Sequence, residues 1–175
     1  MDSRLAHFES LGNGTPFVAL MRAIIEHIRL FDDFDEAEIA TVALYLDCYR
    51  VPPGTEVILE GEQGDFMLLL LDGSMDILRR GSDGLPVRIG HAGPGKTLGE
   101  MSLIDGEPRF ASCIARGECV FGVLDRTGLT QIIADQPRLG VKLMMQLLLL
   151  LNQRLRLVSA ELVRNLGHDE PAPLA

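Results

Sequence analysis

Short apolar runs separated by glycine fill the sequence from Glu56 to Leu124. The runs cover residues 56–60, 66–71, 74–80, 86–91, 111–116 and 119–124. A series of short strands with glycine turns is typical of an antiparallel sandwich or roll. The Asp72-Gly73 pair between the second and third runs is a strong signal for a tight hairpin. We therefore predict an antiparallel, jelly-roll-like β-roll over residues 49–125.

The chain before the roll is predicted to be helical. Thr15-Pro16 has the form of an N-cap followed by proline at the first helical position. Asp35 with Glu38 three residues later has the form of a capping box and predicts the start of a second helix. The prediction for this region is a flexible lead-in at 1–14 and N-terminal helices at 15–48, the first ending near Leu30 and the second near Asp47.

The last third of the chain, residues 126–166, is predicted to be helical again, with a short helix and then a long one that starts at Pro137. Apolar residues in the long helix recur at alternating spacings of four and three, as in a coiled coil. They are Met144, Leu148, Leu151, Leu155, Val158 and Leu162, which we call the seam. The seam predicts a homodimer through the C-terminal helix, although a helix that lies on its own roll would also be apolar on one face. The predicted fold class is α+β, with a helix stop and a disordered tail at 167–175.

The charge balance weighs against several classes of partner. The chain carries 25 acidic and 16 basic residues, a net charge of −9, whereas a nucleic-acid surface needs a basic footprint. The apolar run at 147–151 is far shorter than the about 20 residues that span a bilayer. The first residues also lack the features of a signal peptide. We therefore expect a cytoplasmic protein with no nucleic-acid or membrane partner.

The reactive residue types indicate neither metal chemistry nor catalysis. The 3 cysteines are an odd number without a Cys-x-x-Cys pair, and the 4 histidines are scattered without metal-ligand spacing. The sequence has no nucleophile–base pair and no phosphate-binding glycine loop of the Walker type. We predict no metal site, no cofactor and no enzyme activity.

Residues 97–112 interrupt the strand pattern and carry the candidate site. Residues 100–104 are predicted to form a short helix, and a strand follows closely from Arg109. A helix N-terminus and an arginine fork close together make an anion site that fits phosphate. Alternatively, Arg109 simply pairs with Glu100, and the residue types alone do not decide between the two.

The same segment closely resembles the phosphate-binding cassette of cyclic nucleotide-binding domains, the family of catabolite-activator-type transcription factors, kinase regulatory subunits and nucleotide-gated channels. The family pattern is Gly-Glu-x-(Ala/Ser)-Leu, several residues, and then Pro-Arg-x-Ala-(Ser/Thr). The matching residues are Gly99, Glu100, Ser102, Leu103, Pro108, Arg109, Ala111 and Ser112. Residues 53–58, 60–65 and 72–77 also match the family's early strands and turns. In all, the resemblance covers residues 31–166.

The resemblance implies a role for each matched residue. Arg109 would pair with the cyclic phosphate, and Glu100 would hold the ribose 2′-hydroxyl. The rest of the implied binding segment consists of Gly99, Met101, Ser102, Phe110, Ala111 and Ser112, with backbone amides lining the phosphate and ribose. Contacts to the purine would come from the long C-terminal helix, where Asn152, Arg154 and Ser159 are the candidates.

One residue departs from the family pattern. Phe110 follows the arginine, where family members that bind cyclic nucleotides usually carry Ser, Thr or Ala. The ring could crowd the ligand, or it could turn aside and pack. Ser112 lies too far along the strand to supply the missing hydroxyl.

Two functions are compatible with these residues. The first is a regulatory sensor of a cyclic nucleotide, with cAMP as the expected ligand, which acts through its C-terminal helix on a dimer or on an effector protein that the sequence does not identify. The second is a ligand-free interaction or assembly protein of the same fold, with its site blocked by Phe110. A transcription factor is not expected, because the residues after Leu166 are too few for a helix-turn-helix.

Overall fold

Two antiparallel sheets form the centre of the computed structural model, which describes residues 4–168. The strands in this part of the chain are β1 (Glu9–Asn13), β2 (Asp47–Val51), β3 (Glu56–Ile58), β4 (Phe66–Asp72), β5 (Met75–Arg80), β6 (Pro86–Ala92), β7 (Thr97–Leu98), β8 (Ser112–Ala115) and β9 (Cys119–Asp125). The α-helices are α1 (Val18–Ala23), α2 (Glu36–Leu44), α3 (Glu100–Asp105), α4 (Arg126–Asp135) and α5 (Pro137–His168). The first sheet has the order β1-β2-β9-β4-β7 and the second β3-β8-β5-β6. The predicted β-roll with N-terminal helices and a long C-terminal helix is confirmed.

Strand β4 is buried on both faces and lies between the two cores of the molecule. Phe66, Leu68 and Leu70 contribute to the core between the sheets, and the residues that alternate with them contribute to the core under the helices. Successive side chains of a strand point to opposite faces. A strand covered on both sides is a continuous apolar run rather than an alternation, which explains why residues 66–71 are apolar throughout.

Helix α2 starts at a complete capping box, as predicted. The Asp35 carboxylate accepts a hydrogen bond from the Glu38 amide at 2.8 Å, and the Glu38 carboxylate accepts one from the Asp35 amide at 2.9 Å. Glu38 also forms an ion pair with Lys142 of α5 at 2.5 Å. The cap therefore joins the N-terminal helices to the C-terminal one.

Helix α5 lies on the rest of the domain along its first half only. Leu139, Leu143, Leu147 and Leu150 belong to the core under the helices, whereas the described side chains after Leu150 are half-buried or exposed. In the seam, Met144 and Leu151 are half-buried, and Leu148, Leu155, Val158 and Leu162 are exposed by 46% to 64%. The single chain thus leaves most of the seam uncovered. Among the described residues, no helix is long and apolar enough to cross a membrane.

The predicted flexible lead-in is wrong for the part of it that the structure describes. Leu5 is buried, and Phe8 packs edge-on against Tyr49 and Phe121. The strand β1 pairs with β2, although its sequence shows no apolar alternation. An edge strand gains backbone hydrogen bonds from its neighbour whatever its side chains are. The side chains of β1 therefore carry no pattern that predicts a strand. Residues 1–3 lie outside the described residues.

The single predicted helix from Thr15 to Leu30 is also wrong. Only Val18–Ala23 is α-helical, and 3₁₀ turns at Thr15–Phe17, Ile25–His27 and Arg29–Phe31 surround it. Ile28, Leu30 and Phe31 are all buried, and a regular helix would spread these positions around its circumference. Burial of all three against the roll therefore overrides the local helix propensity.

The Asp72-Gly73 pair does not form the predicted hairpin. It carries the chain from β4 in the first sheet to β5 in the second. Gly73 has a φ of +85°, and a Cβ there would collide with the carbonyl oxygen of Glu118. The glycine is required because the chain changes sheets in a tight space.

Two boundaries also shift. Helix α2 ends at Leu44 rather than near residue 47, because β2 already begins at Asp47. Helix α5 continues through His168, past the predicted stop at Gly167. The rest of the predicted disordered tail, residues 169–175, lies outside the described residues.

Replacement of Asp35 tests the cap that joins α2 to α5. Asp35→Ala is expected to lower the free energy of unfolding by about 1 kcal/mol, because a helix loses its N-cap acceptor. Urea unfolding measures the change. Asp32→Ala is the matched control, since Asp32 is an exposed carboxylate in the turn before the cap. Equal destabilisation by the two variants would contradict a specific role for the cap.

Candidate functional site

The Arg109 side chain is buried where the loop before β8 meets the first sheet. The residue is 4% exposed, and its Nη1 donates hydrogen bonds to the carbonyl oxygens of Phe66 at 2.7 Å and Gly99 at 3.0 Å. The guanidinium carbon lies 4.2 Å from the centroid of the Phe66 ring. Since arginine stays charged at all relevant pH values, the fold holds a permanent positive charge inside the roll.

Two glycines make room for this guanidinium. Gly99 has a φ of +81°, and a Cβ there would lie 2.7 Å from Nη1 of Arg109. A Cβ on Gly64 would overlap with Nε. The loop after β3 also pairs with the arginine backbone, because Gly61 N donates to Arg109 O at 2.9 Å and Arg109 N donates to Glu62 O at 2.8 Å. Backbone and side chain of Arg109 are therefore both held in place.

Glu100 is the first residue of α3 and is 1% exposed. Its Oε1 accepts a hydrogen bond from Nη1 of Arg154, which comes from α5. Nη2 of Arg154 donates to the carbonyl oxygen of Thr97 at 2.6 Å. The other carboxylate oxygen, Oε2, is buried and has no hydrogen-bond partner in the described part of the chain. The carboxylate is thus tied to α5 through one oxygen only.

These groups line a cavity of about 110 Å³. The lining residues are Ile58, Ile77, Leu98, Gly99, Glu100, Met101, Ser102, Arg109, Phe110, Ala111, Cys113 and Arg154. Two arginines, one carboxylate and several apolar side chains therefore meet in one place. Such a lining suits an anionic ligand that also carries a hydroxyl and an apolar body.

A larger groove of about 430 Å³ lies between the N-terminal segment and β2. Arg50 in this groove lies 3.3 Å from a carboxylate oxygen of Glu9 and 3.7 Å from one of Glu118. All three side chains are more than 40% exposed, so their charges are paired close to solvent. The smaller cavity, with its buried charges, is the better candidate for a specific site.

The Cys113 thiol lines the cavity but is not a reactive group. Burial, together with the nearby Glu100 carboxylate, raises the pKa of the Cys113 thiol to about 12, although Arg109 and Arg154 act in the opposite direction. The thiol is therefore protonated at neutral pH and presents a small apolar surface to the cavity.

The Phe110 ring does not fill the cavity. Phe110 is 48% exposed, and the guanidinium carbon of Arg79 lies 3.9 Å from the centroid of its ring. The side chain has turned toward β5 and forms part of the cavity wall. The ring therefore packs against Arg79 of β5, while Phe110 remains one of the residues that line the cavity.

The structure brings most of the predicted site residues together. Gly99, Glu100, Met101, Ser102, Arg109, Phe110, Ala111 and Arg154 all line the cavity. Ser112 does not, and its hydroxyl instead accepts a hydrogen bond from the Glu60 amide at 3.0 Å. Asn152 donates to the carbonyl oxygen of Leu148 at 3.1 Å, and both Asn152 and Ser159 are exposed outside the cavity of their own chain.

Sequence reasoning missed the apolar wall formed by Ile58, Ile77 and Leu98 and the role of Thr97 as an acceptor for Arg154. Alternation along β5 could have found Ile77, because every second residue of that strand faces the interior. Thr97 could not be found in this way, since its role depends on where α5 docks.

The family model described as the cyclic nucleotide-binding domain matches residues 49–136. The chain belongs to this family. The CRP-like cAMP-activated global transcriptional regulator of Mycobacterium tuberculosis is 31% identical over 155 residues, which cover 89% of this chain and 67% of that protein. The cAMP-dependent protein kinase regulatory subunit of Yarrowia lipolytica is 29% identical over 111 residues, 63% of this chain and 28% of that one.

Solved structures agree with this membership. A cyclic nucleotide-binding domain from Methylobacillus flagellatus KT is similar with a TM-score of 0.82 at 32% identity, and the match covers 99% of this chain and 96% of that one. The catabolite activator protein of Thermus thermophilus is similar with a TM-score of 0.71 at 28% identity, and the match covers 77% of this chain and 61% of that protein. The family resemblance predicted from residues 97–112 is confirmed, and in this cyclic nucleotide-binding domain the cassette lies against α5.

Removal of Arg154 tests the link between the cassette and α5. Arg154→Ala is expected to lower the free energy of unfolding by about 2 kcal/mol, because it leaves the buried Glu100 carboxylate without its cation. The expected loss is smaller than for a fully buried ion pair, where removal of one partner costs about 3–5 kcal/mol, because the Arg154 side chain is 42% exposed. Arg156→Ala, an exposed arginine two residues further on, is the matched control and should change nothing in urea unfolding.

A double variant separates charge from packing. Glu100→Gln with Arg154→Ala should recover most of the lost stability, because the buried group is then neutral. A double variant as unstable as Arg154→Ala alone would show that lost packing, not the uncompensated carboxylate, is the cause.

Proposed function

We propose that this domain is a regulatory module, not an enzyme, and that it binds a cyclic nucleotide, with cAMP as the expected ligand, between Arg109 and Glu100. The observation that carries the proposal is the second carboxylate oxygen of Glu100. It is buried without a hydrogen-bond partner among the described residues, in the cavity that also holds the buried charge of Arg109. Buried polar atoms are almost always satisfied in folded proteins, and a ribose hydroxyl would satisfy this one.

The other ligand groups also find suitable partners. The cyclic phosphate carries one negative charge, which the Arg109 guanidinium balances through charge-assisted hydrogen bonds. Backbone amides at Gly99, Met101, Ser102 and Ala111 are the candidate donors around phosphate and ribose. A relative that is 31% identical is described as cAMP-activated, which supports the choice of ligand.

Arg154 offers a route from the ligand to the C-terminal helix. It holds Glu100 and Thr97 in the cassette while it belongs to α5. A ribose hydroxyl that bonds to Oε2 would share the carboxylate with Arg154, which holds Oε1, so the ligand's binding free energy depends on whether α5 is docked. A ligand shifts a conformational equilibrium only through such a differential contact.

The exposed seam of α5 supports a homodimer as part of the output. Leu155, Val158 and Leu162 lie beyond the docked half of the helix and are more than 55% exposed. A second copy of the helix would cover them. We propose that a change in α5 reaches an effector protein through this dimer, and the effector has yet to be identified.

The ligand-free alternative requires Phe110 to block the site. Its ring is half-exposed and stacks with Arg79 at the rim. This conformation favours ligand binding over a blocked site.

Titration calorimetry with cAMP tests the proposed site. Arg109→Ala is expected to weaken binding by at least about tenfold, because hydrogen bonds to charged groups contribute about 1.5–3 kcal/mol. Arg88→Ala removes an exposed arginine on β6 and should bind like the wild type. Arg109→Lys keeps the charge without the planar fork and should bind with intermediate affinity. Equal affinities of the wild type and of a folded Arg109→Ala variant would contradict the assignment.

Sedimentation velocity tests the dimer. The wild type is expected to sediment as a dimer at micromolar concentration, and Leu155→Glu as a monomer, because a charge in an a/d seam is buried without a partner. Leu157→Glu changes an equally exposed leucine outside the seam and should leave the dimer intact. A monomeric wild type would refute the seam as an interface.

A further inference from the structure

Residues 4–13, which we call the strap, run from the outermost strand of the second sheet to the outer edge of the first. At one end, Nη1 of Arg4 donates to the carbonyl oxygen of Glu56 in β3 at 3.3 Å. At the other end, the strap becomes β1, the outermost strand of the first sheet. In between, Leu5 is buried in the core between the sheets, and Phe8 packs against the same core. The strap therefore connects the two sheets.

The strap binds the loop after β3 through the guanidinium of Arg4. Nη2 of Arg4 donates to the two carboxylate oxygens of Glu62 at 2.6 and 2.5 Å, and Nε donates to Oε2 at 3.1 Å. The Arg4 side chain is 25% exposed and the Glu62 side chain 46%. An arginine that makes several hydrogen bonds to one carboxylate imposes a geometry, which a contact between two point charges does not. The pair therefore fixes both the position and the orientation of Glu62.

The same loop holds Arg109, the arginine assigned to the phosphate. The Arg109 amide donates to the carbonyl oxygen of Glu62 at 2.8 Å, and the Gly61 amide donates to the carbonyl oxygen of Arg109 at 2.9 Å. A Cβ on Gly64 would overlap with the Arg109 side chain, so the loop passes directly over the guanidinium. Glu62 is thus joined to the strap by its side chain and to Arg109 by its backbone. A shift of the loop would move Arg109 or release its backbone.

We infer that the strap positions the anion-binding arginine through the Arg4–Glu62 pair, so that the N-terminal segment controls the affinity of the site. The inference rests on the proposed function and adds a positioning residue to it. Arg4 is not among the residues that line the cavity. It acts through Glu62 and the loop after β3.

Amide hydrogen exchange of the ligand-free protein, followed by nuclear magnetic resonance, tests the positioning without a ligand. Arg4→Ala is expected to speed exchange of the Arg109 amide, which donates to Glu62, by about twofold to fivefold. This is the range for loss of an ion pair that is partly exposed to solvent. An unchanged rate at the Arg109 amide would overturn the inference.

Two controls separate positioning from a general loss of stability. Leu68 lies in the centre of β4 and is fully buried, so exchange of its amide reports unfolding of the whole domain. Arg4→Ala should leave this amide unchanged, and an equal acceleration at Leu68 and Arg109 would show a merely structural role. Arg22→Ala is the matched variant, because it removes an ion pair with Glu36, 2.7 Å long, from α1. It should leave the Arg109 amide unchanged.

Titration calorimetry with cAMP tests the consequence for binding. Arg4→Ala and Glu62→Gln should each weaken binding by about twofold to fivefold, because the loss of affinity cannot exceed the contribution of the pair. Glu62→Gln leaves the strap residues themselves unchanged. Arg4→Lys keeps the charge without the planar fork and should lie between Arg4→Ala and the wild type.

The double variant decides whether the two residues act through one contact. Arg4→Ala combined with Glu62→Gln should bind cAMP no more weakly than either single variant, since the same contact is lost in all three. Additive losses would overturn the pair as the route from the strap to Arg109.

Failure of this inference is distinguishable from failure of the proposed function. Unchanged cAMP affinity in Arg4→Ala and Glu62→Gln, with binding by the wild type, would overturn the control by the strap and leave the proposed function intact. Absence of cAMP binding by the wild type would overturn the proposed function and the predicted change in affinity. Exchange of the Arg109 amide would still decide whether Arg4 positions that arginine.

Discussion

The buried guanidinium of Arg109 constrains the residues around it more than any other group in the domain. It cannot escape burial by losing a proton, so the fold must surround it with acceptors. The carbonyl oxygens of Phe66 and Gly99 and the ring of Phe66 meet this need. Their close approach requires glycine at positions 64 and 99. The loop after β3, the start of β4 and the start of α3 are therefore all positioned around one charge, and a positive site inside the roll results.

A second buried charge ties that site to the end of the chain. The Glu100 carboxylate is almost completely buried, and Arg154, which donates a hydrogen bond to it, lies 54 residues away in the sequence, in α5. Burial makes this pair more than a surface ion pair, because removing either member leaves the other uncompensated. The docking of α5 and the conformation of the cassette are therefore coupled. Lys142 and Gln146, which contact Glu38 and Asp33, hold the same helix to the N-terminal segment.

Local chemistry was predictable from the sequence, and arrangements decided by distant partners were not. The Asp35–Glu38 cap depends on residues three apart, and the cassette depends on spacing within 97–112, so both could be recognised. The strand β1 exists because β2 offers it an edge. Gly73 carries the chain between sheets where a hairpin was expected. The orientation of Phe110 depends on Arg79, 31 residues earlier, and the partner of Glu100 depends on where α5 lies. In each case the deciding contact is far away in sequence.

Arg154 lies between the docked and the uncovered part of α5, and this position matters for the proposed regulation. Among the described side chains, Leu150 is the last of the helix in the core under the helices. Arg154 follows one turn later and contacts the cassette. Beyond it, the helix continues through His168, about 20 Å further at 1.5 Å per residue. A helix anchored on one side of such a point and uncovered on the other transmits a small change at Arg154 as a larger displacement at its end. The exposed seam lies mainly on that outer half, so a ligand that shares Glu100 with Arg154 would act close to the surface that a second helix can cover.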